Sequence, residues 1–181
     1  MTHLQKLKLR ALVVLFIFSF PPAIAPAQIK RAHQPKSGAV AFSARVTGIS
    51  DGDTMEILKD GKPVKVRLAH IDCPEKRGRQ PFGNAAKAAL SNLCFNQQVT
   101  VFPQNYDRYR RLIAVVRNAR GQIVNQEMVR MGMAWHFKKY SSDELYTRLE
   151  IKARDSRIGL WQDAHPVAPW QWRKQKYKRT G

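Results

Sequence analysis

Acidic side chains are in short supply in this chain: 13 Asp and Glu stand against 32 Lys and Arg. Such an imbalance argues against a polycationic partner and points to a polyanion, nucleic acid first and an anionic membrane or envelope polymer second. Cysteine is nearly absent as well. Cys73 and Cys94 allow at most one disulfide, which excludes a multiply bridged scaffold; a single bridge and two separate thiols both fit their spacing. His33, His70, His136 and His165 are scattered without metal-ligand spacing, which leaves them surface or packing roles. Long apolar runs are missing too: the one at 11–20 falls short of the ~20 residues needed to cross a bilayer, and Pro21-Pro22 ends it. There is no internal repeat, which excludes a solenoid or propeller.

Lys6, Lys8 and Arg10 precede that run, and small residues at 25–27 follow it, the layout of a secretory signal cleaved before Gln28. Residues 1–27 are read as that signal, which predicts an exported protein, periplasmic or secreted, with no stable membrane association after cleavage. Removing those three charges from 32 leaves 29 basic residues, and 29 less 13 acidic gives +16. Residues 28–40 are polar, basic and aperiodic, a flexible leader. Residues 41–163 then carry the patterned sequence, room for one domain with a core. Residues 164–181 form a tail in which Trp170, Trp172 and Tyr177 alternate with Lys and Arg. Such a tail can grip single strands by stacking and charge, or remain a solvated basic end.

Within 41–163 short strand-like runs dominate. "FSARVTGI" at 42–49 is one; 54–71 reads as a hairpin in which Met55 and Ile57, then Val64, Val66 and Leu68, alternate with polar residues around Asp60-Gly61. Across 82–95, Ala85, Ala86, Ala89, Leu90 and Leu93 recur at helical spacing. Strand character returns at 99–103 and 111–124. Asn125 is placed to cap a short helix stopped by Gly132, and Ser141 with Glu144 to cap a last helix running to about Ile158, with Gly159 in the left-handed position beyond. Five strands and three helices predict an α+β, mainly β chain: a small closed antiparallel barrel of the oligonucleotide-binding (OB-fold) class with helices packed outside.

Six of the 13 acidic residues lie between Asp51 and Glu75. In a protein built to meet a polyanion this concentration is counterproductive unless a cation sits among it. Paired carboxylates on neighbouring loops suit a hard divalent ion such as Ca²⁺, which can bridge to a phosphate. A further carboxylate can orient an attacking water, and arginine forks match phosphate oxygens. Asp53, Asp72, Glu75 and Arg67 are the right types, and "DRYRR" at 107–111 adds a second arginine cluster. Arg67 and Asp72 have opposite strand parity, however, so a bulge or a strand end must intervene to bring them together.

"DGDT" at 51–54, "VRLAHIDCPE" at 66–75, "QPFGNAAKAAL" at 80–90, "DRYRRLIAVV" at 107–116, "VNQEMVRMGMAW" at 124–135 and "IGLW" at 158–161 occur in this order. With that series the sequence resembles the staphylococcal nuclease (thermonuclease) family, in particular its exported bacterial members. The resemblance implies a five-stranded OB-fold barrel with three helices, and Ca²⁺-dependent cleavage of DNA and RNA to 3′-phosphorylated products by a monomer with one ion per site. It implies that Asp53, Asp72 and the backbone carbonyl of Cys73 hold the metal. It gives Arg67 and Arg111 to the phosphate, Glu75 to the water as general base, and Arg108 and Tyr109 to the terminal phosphate of the nucleotide. Two departures stand out. Cys73 replaces a Thr, and Arg110 occupies a place usually held by Gly, where a positive φ would strain it. The rival reading is a non-catalytic nucleic-acid-binding OB-fold module.

Overall fold

Asp60 and Gly61, with φ of 50° and 72°, form the two-residue turn that joins β2 (Thr54–Lys59) to β3 (Lys62–Leu68). Positive φ at both turn positions matches the right-handed twist of the flanking strands, and Asp-Gly supplies it at low cost. The computed structural model describes residues 40–77 and 79–180, with the backbone alone for 176–180. The expected signal at 1–27 and nearly all of the leader at 28–40 lie outside the described residues. Among the described residues no helix is long and apolar enough to cross a membrane.

The barrel closes in the order β1-β2-β3-β6-β5, with β1 spanning Phe42–Ile49, β5 Gln98–Tyr106 and β6 Leu112–Arg117. Val46, Met55, Ile57, Val66, Val101 and Val116 alternate inward and are fully buried, so strand periodicity alone fills the interior. The expectation of an antiparallel barrel is corrected at one seam. β3 and β6 run parallel, pairing Val66 with Leu112, because helix α1 (Gly83–Cys94) and β5 intervene and return the chain in the same direction. On α1 the predicted stripe buries Ala86, Leu90 and Leu93 but leaves Ala85 exposed.

Two predicted caps are also corrected. Helix α2 (Val124–Arg130) starts one residue before Asn125, with Ile123 at its N-cap. Asn125 is fully buried instead, accepting from the Val116 N–H at 2.9 Å and donating to the carbonyls of Ala69 and Ala114 at 3.0 and 3.1 Å. It thereby satisfies Val116 N–H and Ala69 O beside the parallel seam and adds a second donor to Ala114 O, which also accepts from the Ala69 N–H at 2.8 Å. Helix α3 (Glu144–Asp155) is capped by Asp143, which accepts from Leu145 N–H, while Ser141 lies buried within 2.9 Å of His70 Nδ1 and of His136 Nε2. The helix ends three residues short of Ile158, and Gly159 has the expected left-handed φ, 58°.

The last segment departs most from expectation. Beyond a 3-10 turn at Gly159–Gln162, the basic end folds as a fourth helix, α4 (Pro169–Thr180), where three were expected. Proline at the first helical position and an uninterrupted run of helix-compatible residues explain the start and the continuation. Trp170 anchors it, edge-on to Trp135 at 5.6 Å between centroids and stacked on Phe137 at 5.3 Å. Trp135 also meets Trp161 at 4.5 Å, so both tryptophans are core residues.

Replacing Asn125 by Ala strands one buried N–H, of Val116, and one carbonyl, of Ala69, while Ala114 O keeps the Ala69 N–H at 2.8 Å. The variant is expected to lose about 2–4 kcal/mol of stability in urea denaturation, well beyond an exposed Asn→Ala change.

Candidate active site

The loop between β1 and β2 is short because its ends share a carbonyl: the Ser50 and Asp51 N–H groups both donate to Thr54 O, at 2.9 and 3.4 Å. Gly52 lets this loop lie against α1. A Cβ there would fall 2.6 Å from Ala86 Cβ and 2.8 Å from Cys73 Cβ. Asp53 follows, almost fully buried, with each carboxylate oxygen engaged. Oδ1 accepts from the Thr54 hydroxyl at 3.1 Å, and Oδ2 accepts from the Cys73 N–H at 2.8 Å. Asp72 reaches the same place from the other side. β3 stops at Leu68, and His70, with φ of 70°, turns the chain into a two-residue strand, β4 (Ile71–Asp72), which pairs with β7 (Trp135–His136). The parity conflict between Arg67 and Asp72 is therefore resolved by a strand end and not by a bulge.

Arg67 is the shared element. Its Nη2 lies 3.0 Å from Asp53 Oδ2 and 2.8 Å from Asp72 Oδ1, while Nη1 donates to the carbonyls of Leu68 and Ile71 at 3.1 and 3.0 Å. Burial works to lower the pKa of this guanidinium, but the charges of Asp53 and then Asp72 raise it above its usual value. The carboxylates pull the other way. Burial, then the charge of Asp53, pushes Asp51 up to about 7, and the same two causes push Asp72 up to about 6 against Arg67 and Arg173. Asp51, whose Oδ1 accepts from the Asp53 N–H at 3.3 Å, is a third carboxyl at this centre to which the sequence alone assigned no role. Asp51 and Asp72 both resist ionising beside the Asp53 charge, and a site offering oxygen donors under such repulsion fits a hard divalent cation. Among the described residues no three His, Cys, Asp or Glu side chains form a ready-made metal cage. Beyond Asp53 and Asp72, such an ion would draw on main-chain, water or phosphate oxygens.

Cys73 joins this centre only through its main chain. Its side chain is part of the hydrophobic core, and burial, followed by the charge of Asp53, raises the thiol pKa well above its ordinary value. Cys94 is buried too, pushed up to about 12. Both are free thiols, so the bridge that their spacing allowed is not formed.

Glu75 sits on the loop after Pro74. Its N–H donates to Gln80 Oε1 at 2.9 Å, and its carbonyl accepts from the Gln80 N–H at 3.1 Å. Gly83 lets the start of α1 press on this loop, since a Cβ there would fall 2.8 Å from Glu75 O. The Glu75 carboxylate meets a residue that sequence reasoning missed. Arg173, on α4, donates Nη1 to Glu75 Oε1 at 2.5 Å and Nη2 to Asp72 Oδ2 at 2.7 Å. The only signal for it was the alternation of tryptophan and basic residues in the tail.

Arg111 approaches from the strand entrance at 107–111. Asp107 organises that turn by accepting from the N–H groups of Tyr109 and Arg111, both at 2.9 Å, and from Arg111 Nε at 2.7 Å. Arg111 Nη1 then reaches the Thr54 hydroxyl at 3.4 Å, one link from Asp53. Burial favours the neutral Asp107 acid, but these bonds and the Arg111 charge outweigh it and hold the carboxyl below its usual range. Arg110 has a φ of 60°, the left-handed conformation anticipated for a glycine position. Arg108 and Tyr109 stand exposed on the rim, hydrogen-bonded to each other at 2.6 Å, and Arg111 lies 5.5 Å from the Tyr109 ring centre.

Residues 65–163 match the family described as "Staphylococcal nuclease homologue". That stretch holds Arg67, Asp72, Glu75 and Arg111 and leaves Asp53 and Arg173 outside it. A Haemophilus influenzae protein described as an uncharacterized endonuclease is 46% identical over 135 residues, 74% of this chain and 74% of its own. An Escherichia coli protein of the same description is 38% identical over 164 residues, 91% of this chain and 96% of its own. A micrococcal nuclease of Shigella flexneri is 38% identical over 149 residues, 77% of this chain and 84% of its own.

Two outcomes follow from the geometry. Arg110→Gly removes a left-handed side chain and should raise stability by about 1 kcal/mol in urea denaturation, with Arg111 undisturbed. The folded protein protonates Asp51 near pH 7, whereas the unfolded chain does so near 3.8. Metal-free protein therefore gains stability as pH falls from about 7 toward 4 and loses it as pH rises again. Asp51→Asn keeps the acceptor for the Asp53 N–H, so it should flatten that slope and be about 1 kcal/mol more stable than the wild type at pH 8 in chelator.

Proposed function

Because the chain belongs to the staphylococcal nuclease family, we propose that it is an exported, Ca²⁺-dependent nuclease that hydrolyses phosphodiester bonds of DNA and RNA with little sequence preference. Its products are 3′-phosphorylated. One observation carries the reading: two almost fully buried aspartates, one from the loop before β2 and one from β4, converge on the fork of Arg67, with Glu75 and Arg111 linked to them in a chain with a surplus of basic residues.

Asp53, Asp72 and the main-chain carbonyl of Cys73 are the residues that would hold Ca²⁺, which supplies positive charge to a phosphate that otherwise repels a nucleophile. The side chains divide the remaining work. Glu75, on a loop pinned by Gln80 and Gly83, accepts a proton at its carboxylate oxygen from the attacking water and orients it. Arg67, held flat by two backbone carbonyls, presents donors to the phosphate from the barrel floor. Arg111 does the same from the entrance of the neighbouring strand β6. Both stabilise the charge that builds on the phosphoryl oxygens during attack. Arg108 and Tyr109 at the rim receive the terminal phosphate. None of these groups reads a base edge, so sequence preference is low.

The signal at 1–27 takes the chain out of the cytoplasm, and residues 41–163 then act as a monomeric nuclease domain in the periplasm or outside the cell. The two thiols stay apart and buried there, which removes redox control from the site.

Cleavage of denatured DNA is expected with Ca²⁺ and not with chelator, and equal rates in both would overturn the reading. Glu75→Ser should lower kcat by about 10²–10⁴ while keeping nucleic-acid affinity. Indifference to that substitution would favour a binding module.

A further inference from the structure

α4 delivers a third arginine to a centre already supplied with Arg67 and Arg111. Arg173 grips Asp72 with both terminal nitrogens, Nη2 to Oδ2 at 2.7 Å and Nη1 to Oδ1 at 3.4 Å, and extends Nη1 to Glu75 Oε1. Asp72 Oδ1 is already taken by Arg67, so Arg173 holds the second oxygen of that carboxylate. The two arginines differ in how firmly they are fixed. The Arg67 side chain is 13% exposed and tied to two backbone carbonyls, whereas Arg173 is 40% exposed and held by carboxylates alone. A divalent cation on Asp72 contends with Arg173 for the same oxygen and repels its charge at short range. Of the two, Arg173 is the one free to move. A guanidinium displaced from Asp72 finds its next partner in the anion that the cation brings with it, because a planar fork matches phosphate oxygens as well as it matches carboxylate. The helix around it adds Lys174, Lys176, Lys178 and Arg179 in sequence, a basic run suited to the backbone of a nucleic-acid strand.

We propose that Arg173 is a further substrate-binding residue of this site, exchanging Asp72 and Glu75 for a phosphate oxygen as a divalent cation takes Asp72. The exchange rests on the Ca²⁺-dependent reading above and deepens it. It makes cation and phosphate binding mutually supportive: the ion frees the arginine, and the phosphate keeps it from returning.

The test is calorimetric titration of the full chain with Ca²⁺ alone, then with thymidine bisphosphate in saturating Ca²⁺, for the wild type, Arg173→Gln and Arg173→Lys. Arg173→Gln should bind Ca²⁺ about threefold to tenfold more tightly and the bisphosphate weaker by a similar factor. Arg173→Lys, with charge but no fork, should fall between the two on both scales. Because Arg173 pairs with the nearly buried Asp72, Arg173→Gln should have a lower thermal midpoint without Ca²⁺, and the titrations are run well below it. Unchanged or weaker Ca²⁺ binding by Arg173→Gln, or unchanged bisphosphate affinity, overturns the role of Arg173 and leaves the nuclease reading intact. A wild type that binds no Ca²⁺ and cleaves no DNA with it overturns that reading and this role together.

Discussion

One guanidinium nitrogen, Arg67 Nη2, lies within 3.0 Å of Asp53 and 2.8 Å of Asp72, and the rest of the site is arranged around that junction. Asp53 comes from the loop before β2 and Asp72 from the strand after β3, so neither carboxylate would face the other without the cation between them. Both are almost fully buried, where an unpaired charge is costly. The arginine is satisfied in turn by the backbone carbonyls at the end of β3 and of β4. Backbone geometry therefore sets where the fork points, and the fork sets where the two carboxylates meet.

The positions that steer the chain into this junction adopt unusual backbone conformations. His70 turns left-handed to bring Asp72 back beside Arg67, and Arg110 does the same just before Arg111. Asp107 compensates for the second by binding the turn at both its backbone and its arginine. Strain of this kind concentrates where side chains must be aimed, and the surrounding hydrogen bonds hold it in place. The closed barrel supplies the rigid floor, with its fully buried aliphatic layer directly beneath the loops.

Helix α4 alters the character of the site. A tail that composition left as either a strand-gripping segment or a solvated basic end is anchored by Trp170 on Trp135 and Phe137, and the anchor is what lets Arg173 reach Asp72 and Glu75. Opposite charges then draw the helix to an acidic concentration on a strongly basic protein. The packing of two tryptophans and the electrostatics of the centre are thus coupled through a single helical turn.

The amino-acid sequence by itself determined the local pieces. The bounds of β1, the Asp60-Gly61 hairpin, the body of α1 and the carboxylate-rich stretch from Asp51 to Glu75 are all written in patterns a few residues long, whereas the left-handed residue before Arg111 was expected only from the family resemblance. A turn preference or an alternation of apolar side chains is decided by immediate neighbours. Tertiary structure decided the rest: the parallel β3–β6 seam, Asn125 as a buried bracket where a cap was expected, Ser141 among histidines, and the arrival of Arg173. Asp72 and Arg173 stand 101 residues apart in the chain, and no local preference ties such a pair. Their meeting follows from barrel closure and from the tryptophan anchor, both collective outcomes of packing that exist only once the whole chain has folded.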